Sequence, residues 1–150
     1  MLSSRLVQLI EDHCESISTR ILNDFRQDAR LRHIAELPRS DLADRVRDVL
    51  LHLGHWLTSS SQVEIAERFE RIGRRRFHEG IPAQEMVLAY SLIKERAIEF
   101  IRDQGIGRST LELYAEEELE HAVGRFFDSV VYHVVRGYEE ALGEALRATA

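Results

Sequence analysis

The sequence is short of what irregular structure and covalent cross-linking need. Cys14 is the one cysteine in 150 residues, so no internal disulfide can form and a secreted disulfide scaffold is excluded. Two prolines and eight glycines leave little chain for loops. No stretch approaches the roughly 18 apolar residues of a membrane span, and "MLSSRLVQLIEDHCES" gains charge too early for a signal peptide. Membrane insertion is not expected, and a reducing cytoplasm is the default location. A net charge of −6 disfavours non-specific binding to nucleic acid.

Motifs of chemistry are missing too. There is no glycine-rich phosphate loop, no Cys-x-x-Cys and no Gly-x-Ser-x-Gly. His13 stands next to Cys14, but adjacent helical residues point apart and cannot form a thiolate–imidazole pair. No catalytic residue is assigned, and an enzyme is not expected.

What the chain does have is helical periodicity almost throughout, and nothing with the period of a strand. A first helix starting after Ser3 or Ser4 carries Leu6, Ile10, Cys14, Ile17, Ile21 and Phe25 on one stripe. After the break at Pro38, Ser40 is the expected N-cap of a second helix bearing Leu42, Val46, Val49, Leu50, Leu53 and Leu57. Ser61 with Glu64 forms a capping box opening a third, which runs to about Glu79. Gly80 suits the C′ position, and Pro82 the start of a fourth helix ending near Gln104. After Gly105 and Gly107, Ser109 with Glu112 caps a very long last helix. The expected fold is one all-α domain over 1–150, a helical bundle or globin-like unit of about five helices with a long C-terminal helix.

Two apolar stripes run along that last helix. Phe126, Val130, Val134 and Gly137 form one; Phe127, Val131, Val134, Tyr138, Ala141 and Ala145 form the other. One can face the rest of the chain. The second asks for a partner, so a parallel homodimer through Phe127, Val131, Val134, Tyr138 and Ala141 is expected. A fully buried central helix is the alternative.

Seven histidines invite a search for a metal. His52 and His55 stand at i, i+3, yet no further ligand has a claim to complete a site. Glu118 and His121 form a Glu-x-x-His motif, of which a di-iron bundle needs two copies plus two further glutamates. No metal and no cofactor are expected.

"RRRFHEGIPAQEM" concentrates charge at the turn between the third and fourth helices. Glu64–Arg68, Glu67–Arg71 and Glu70–Arg74 are spaced as i, i+4 pairs on a solvent face. Arg76 differs: at about 100° per residue it falls about 20° from Phe69, inside the apolar stripe. Buried arginine needs a counter-charge, and an ion pair with Glu85 across the elbow is the expectation; a head that snorkels to water is the alternative. Gly73, Arg76, Gly80, Pro82 and Glu85 are the elbow residues, and His78, Tyr90 and Lys94 the candidate ligand-pocket residues.

The stretch from Gly73 to Glu95, "GRRRFHEGIPAQEMVLAYSLIKE", resembles the G-x-x-R-x-x-x-G-I-P-x-x-E-h-h-x-A-Y segment (h, apolar) of RsbRD-type N-terminal domains. "RFFDSVVYHVVRGYEEAL" is similar to the end of such modules, where they run into the next domain. The resemblance implies a stressosome-type or histidine-kinase-associated sensory module, without chemistry of its own, that dimerises and signals to an output domain. Relatives are described as globin-like without haem. Residues 138 to 150 then read as the root of a signalling helix, and the chain as a piece of a longer protein or a stand-alone regulator. A haem or small-ligand sensor using His52, His55 or His78 is the competing reading, which a visible absorption spectrum would separate.

Overall fold

The computed structural model describes residues 2–57, 62–104 and 109–149, with side chains from Ser4 onward. Eight α-helices and no strand occur among them. In order these are α1 (Leu2–Asp12), α2 (Cys14–Gln27), α3 (Arg32–Ala35), α4 (Arg39–Leu51), α5 (Leu53–Trp56), α6 (Gln62–His78), α7 (Ala83–Asp103) and α8 (Thr110–Ala148), with a 3₁₀ turn at Ala29–Leu31. The all-α expectation holds. The count of about five does not, because two of the anticipated helices are broken and α3 is an extra short turn.

The first break is at His13. Its imidazole Nδ1 lies 2.9 Å from the Leu9 carbonyl, which also accepts the His13 N–H at 3.0 Å. Side-chain competition for a helical carbonyl loosens the turn, yet Leu6, Ile10, Cys14, Ile17, Ile21 and Phe25 remain one buried stripe. The second break is at His52, between α4 and α5. Helix α4 also begins earlier than the Ser40 cap would place it. The Pro38 carbonyl accepts the N–H groups of Asp41 and Leu42, so Ser40 lies inside the first turn. The capping box at Ser61 and the break at 105 to 107 fall outside the described residues.

The ends of the longest helices follow local rules. Gly80 has φ 77°, the left-handed conformation a non-glycine residue adopts only at a cost. Its N–H reaches the Phe77 carbonyl and the Ile81 N–H reaches the Arg76 carbonyl, which together close a Schellman motif on α6. Pro82 stands just before α7 and its carbonyl accepts the Glu85 N–H. Ser109 Oγ accepts the Glu112 N–H and starts α8, a helix about 60 Å long at 1.5 Å per residue. Gly80→Ala should lower stability by about 1–2 kcal/mol, because open space around the position leaves only the left-handed φ to penalise; a urea midpoint no lower than that of the parent would contradict it.

Helix α8 packs chiefly on α6 and then α7. The centre of the core is aromatic. Phe69 lies 6.0 to 6.2 Å, ring centre to ring centre, from Trp56, Tyr90 and Phe126, and each of these contacts is edge-to-face. The Arg68 guanidinium covers the Trp56 ring at 5.2 Å.

Candidate functional site

Two glycines bring α6 and α8 into backbone contact. A Cβ on Gly73 would lie 2.0 Å from the Val134 carbonyl oxygen, and one on Gly137 would lie 2.0 Å from that of Glu70. No side-chain layer separates the helices at this crossing. Gly73 therefore acts at the helix crossing, seven residues before the turn residue Gly80.

Around the crossing, side chains of α6 reach outward to other helices. Arg74 donates to both carboxylate oxygens of Glu144 at 2.8 and 3.0 Å, and to Glu140 at 3.3 Å. Those bonds hold the Arg74 guanidinium well above the usual arginine range, with the Glu144 carboxylate as the largest cause. Glu70 meets His133 Nδ1 at 2.7 Å, and Arg136 lies 3.9 Å away. Arg68 pairs with Asp48 of α4, and Glu64 with His55 of α5. None of the three i, i+4 pairs anticipated on α6 is among the ion pairs formed. Glu64, Arg68, Glu70 and Arg74 take partners on other helices instead.

The elbow is latched by Tyr138 of α8. Its hydroxyl donates to the Ile81 carbonyl at 2.7 Å, and its ring stands edge-on to Phe77 at 5.4 Å. Tyr138, half-buried, thus engages the elbow of its own chain. Phe127, Val134 and Ala141 are buried within the chain, at 2%, 1% and 1% exposure. Much of the second stripe is thus taken up by the chain's own helices. Of the five, Val131 and Tyr138 keep a partly open flank.

Arg76 and Glu85 are both buried, at 3% and 4%, but they do not pair. Arg76 Nη1 donates to Glu79 at 2.7 Å and to Asp41 of α4 at 3.3 Å. Glu85 instead accepts the backbone N–H groups of His33 and Ile34 at 3.0 and 3.1 Å, and meets His33 Nδ1 at 2.5 Å. The two residues project to different neighbours: Arg76 to the start of α4, Glu85 to the free amides that open α3. Sequence spacing could not show either, since the partners come from 35 and about 50 residues earlier.

Of the candidate pocket residues, Tyr90 is buried, His78 is exposed and Lys94 is half-buried. Only Tyr90 lines a cavity, one of about 40 Å³ between α2, α4, α6 and α7. His52 and His55 each meet a carboxylate, Asp48 at 3.8 Å and Glu64 at 2.7 Å, with His52 at the helix break and His55 within α5. Among the described residues no three of His, Cys, Asp and Glu converge as a metal site, and no helix is long and apolar enough to cross a membrane. Burial pushes the Cys14 thiol up, away from the reactive thiolate.

Comparison with known proteins adds one finding. A family model described as the RsbT co-antagonist protein rsbRD N-terminal domain matches residues 15–150. No curated protein and no solved structure matches the chain.

Proposed function

Because the chain belongs to the RsbT co-antagonist protein rsbRD N-terminal domain family, a family of signalling input domains, we propose that it is a dimeric, non-catalytic input module. In this reading it works through protein contacts and passes its state along α8 to an output domain, in the manner of a stressosome-type regulator.

The observation that supports this most is the uncovered flank of α8. Val131, Val135, Leu142 and Leu146 lie about 60–120° round from the buried Val134 at about 100° per residue. Leu142 is 40% exposed and Leu146 63%, while Val131 and Val135 are partly covered. Their spacings of four, seven and four residues keep them on one side of the helix, as an apolar face for a partner requires. This flank faces away from the Arg74 contacts, so a second copy can approach without breaking them. Parallel pairing brings both α8 ends together, which suits paired output domains.

Sedimentation equilibrium at tens of micromolar should show twice the chain mass. Changing Leu142 and Leu146 to glutamate should give a folded monomer, with helical content retained by circular dichroism. A monomeric parent chain, or an unchanged mass for that variant, would overturn the reading.

A further inference from the structure

The ion-pair cluster beside the Tyr90 cavity holds more guanidiniums than carboxylates. Arg45, Arg75 and Arg76 share two carboxylates, Asp41 and Glu79. Three guanidiniums against two carboxylates leave one positive charge over. Arg68, the next cation out, is already matched by Asp48.

The excess falls on the two arginines that line the cavity. Arg76 is 97% removed from water by its 3% exposure, and its ion pairs use Nη1 alone. Its Nε and Nη2 make no hydrogen bond among the described residues. Arg45 is held only at 3.9 Å, by Asp41. Both line the cavity together with the Tyr90 phenol, which is 8% exposed and forms no hydrogen bond among the described residues. Burial raises the phenol to about 12, with Arg76, Arg45 and Arg68 pulling the other way, so at neutral pH it is a proton donor. Donors that no side chain of the chain engages remain able to take an acceptor from solution.

The remaining wall is apolar: Phe25, Ile34, Leu42 and Met86 close the other side. A cavity of about 40 Å³ holds roughly three to four water-sized atoms at about 10–15 Å³ each.

We propose that this cavity is a binding site for a short monocarboxylate of formate or acetate size, its two oxygens held by Arg76, Arg45 and the Tyr90 hydroxyl. One negative charge matches the one left over, and the planar fork of a guanidinium fits a carboxylate. The methyl or hydrogen of the ligand meets Ile34 and Met86. Binding itself stands apart from the input-module reading; its use as a signal rests on it. Arg76 and Met86 of the lining stand on the two helices that flank the turn Tyr138 latches to α8.

The test titrates the ¹⁵N-labelled chain with sodium formate and sodium acetate, against sodium chloride at equal ionic strength, following amide shifts by NMR. Saturable shifts at Ile34, Met86 and Tyr90 are expected with both carboxylates and not with chloride; benzoate, too large for the cavity, should give none there. Tyr90→Phe and Arg45→Gln should each weaken acetate binding by about tenfold, the loss of one hydrogen bond to a charged group. Arg45 is partly exposed, so its variant retains the fold even if loss of the phenol disturbs packing. Absence of saturation, equal response to chloride, or undiminished binding in both variants overturns the proposal. The sedimentation mass of the same samples keeps the two readings apart: a dimer that ignores carboxylates defeats only the site, and a monomer that binds them defeats only the dimeric module.

Discussion

Gly137→Ala should lower the unfolding free energy by about 3 kcal/mol, the upper end of what overpacking costs. A new methyl carbon there would sit 2.0 Å from the Glu70 carbonyl oxygen and 2.8 Å from its Cα. These are backbone atoms of a packed helix and cannot rotate away, so α6 and α8 must separate. Alanine would return about 1 kcal/mol of helix propensity, too little to reverse the sign. Gly73→Ala meets the mirror-image clash at Val134 and should cost a similar amount. The pair should be less than additive, since a gap opened for one methyl partly accommodates the other. Gly124→Ala is the control: nothing lies within 4 Å of its added carbon, so the same propensity term should stabilise. Denaturant melts of the four proteins decide it, and a Gly137→Ala variant as stable as the parent would show that the helices do not cross so closely.

Arg76→Ala should cost about 3 kcal/mol, the loss typical of breaking a buried ion pair. The side chain is 4% exposed, so its hydrocarbon stem and its charge are both withdrawn from water. Asp41 and Glu79 keep Arg75, at 3.3 and 3.8 Å, which limits the penalty on their side. Arg76→Met, which refills the space, should cost less than Arg76→Ala. In double-mutant cycles Arg76 should couple to Asp41 by about 0.5–3 kcal/mol, the range for residues in contact. With Glu85 it should be additive, because Glu85 is engaged by His33 and Ile34. Arg74→Ala removes a more exposed side chain and should destabilise less. Measured coupling of Arg76 to Glu85 rather than Asp41 would contradict the arrangement.

Legibility in the sequence followed the range of the interaction. The Gly80–Pro82 turn and the Ser109 cap depend on residues within one helical turn, and both form as local chemistry dictates. Apolar stripes named the right faces, because burial acts on a whole face at once. Where the reading fell short, the deciding partner lay far along the chain. Arg74 found Glu144, and Arg76 divides its bonds between its helical neighbour Glu79 and the distant Asp41. The second stripe of α8 looked unpartnered only because a period cannot tell how deeply a helix is embraced. One signal was present and unused: Gly73 and Gly137 stand inside helices, where glycine costs about 1 kcal/mol against alanine, and each interrupts an apolar stripe. Two such glycines on helices that must pack imply a close crossing. The cavity was half visible, through Tyr90, but its arginines come from separate helices.

The Gly73–Gly137 contact also limits how α8 can move. With carbonyl against Cα and no side chains between them, the helices have no layer to shear along, so sliding one past the other would force main chain through main chain. Rotation about the contact is the freedom that remains. From Gly137 the helix extends 27 residues back to Thr110 and 11 forward to Ala148, arms of about 40 and 16 Å at 1.5 Å per residue. The contact is a fulcrum set nearer the C-terminal end, so a swing of the long arm reaches that end reversed in direction and reduced to about two-fifths.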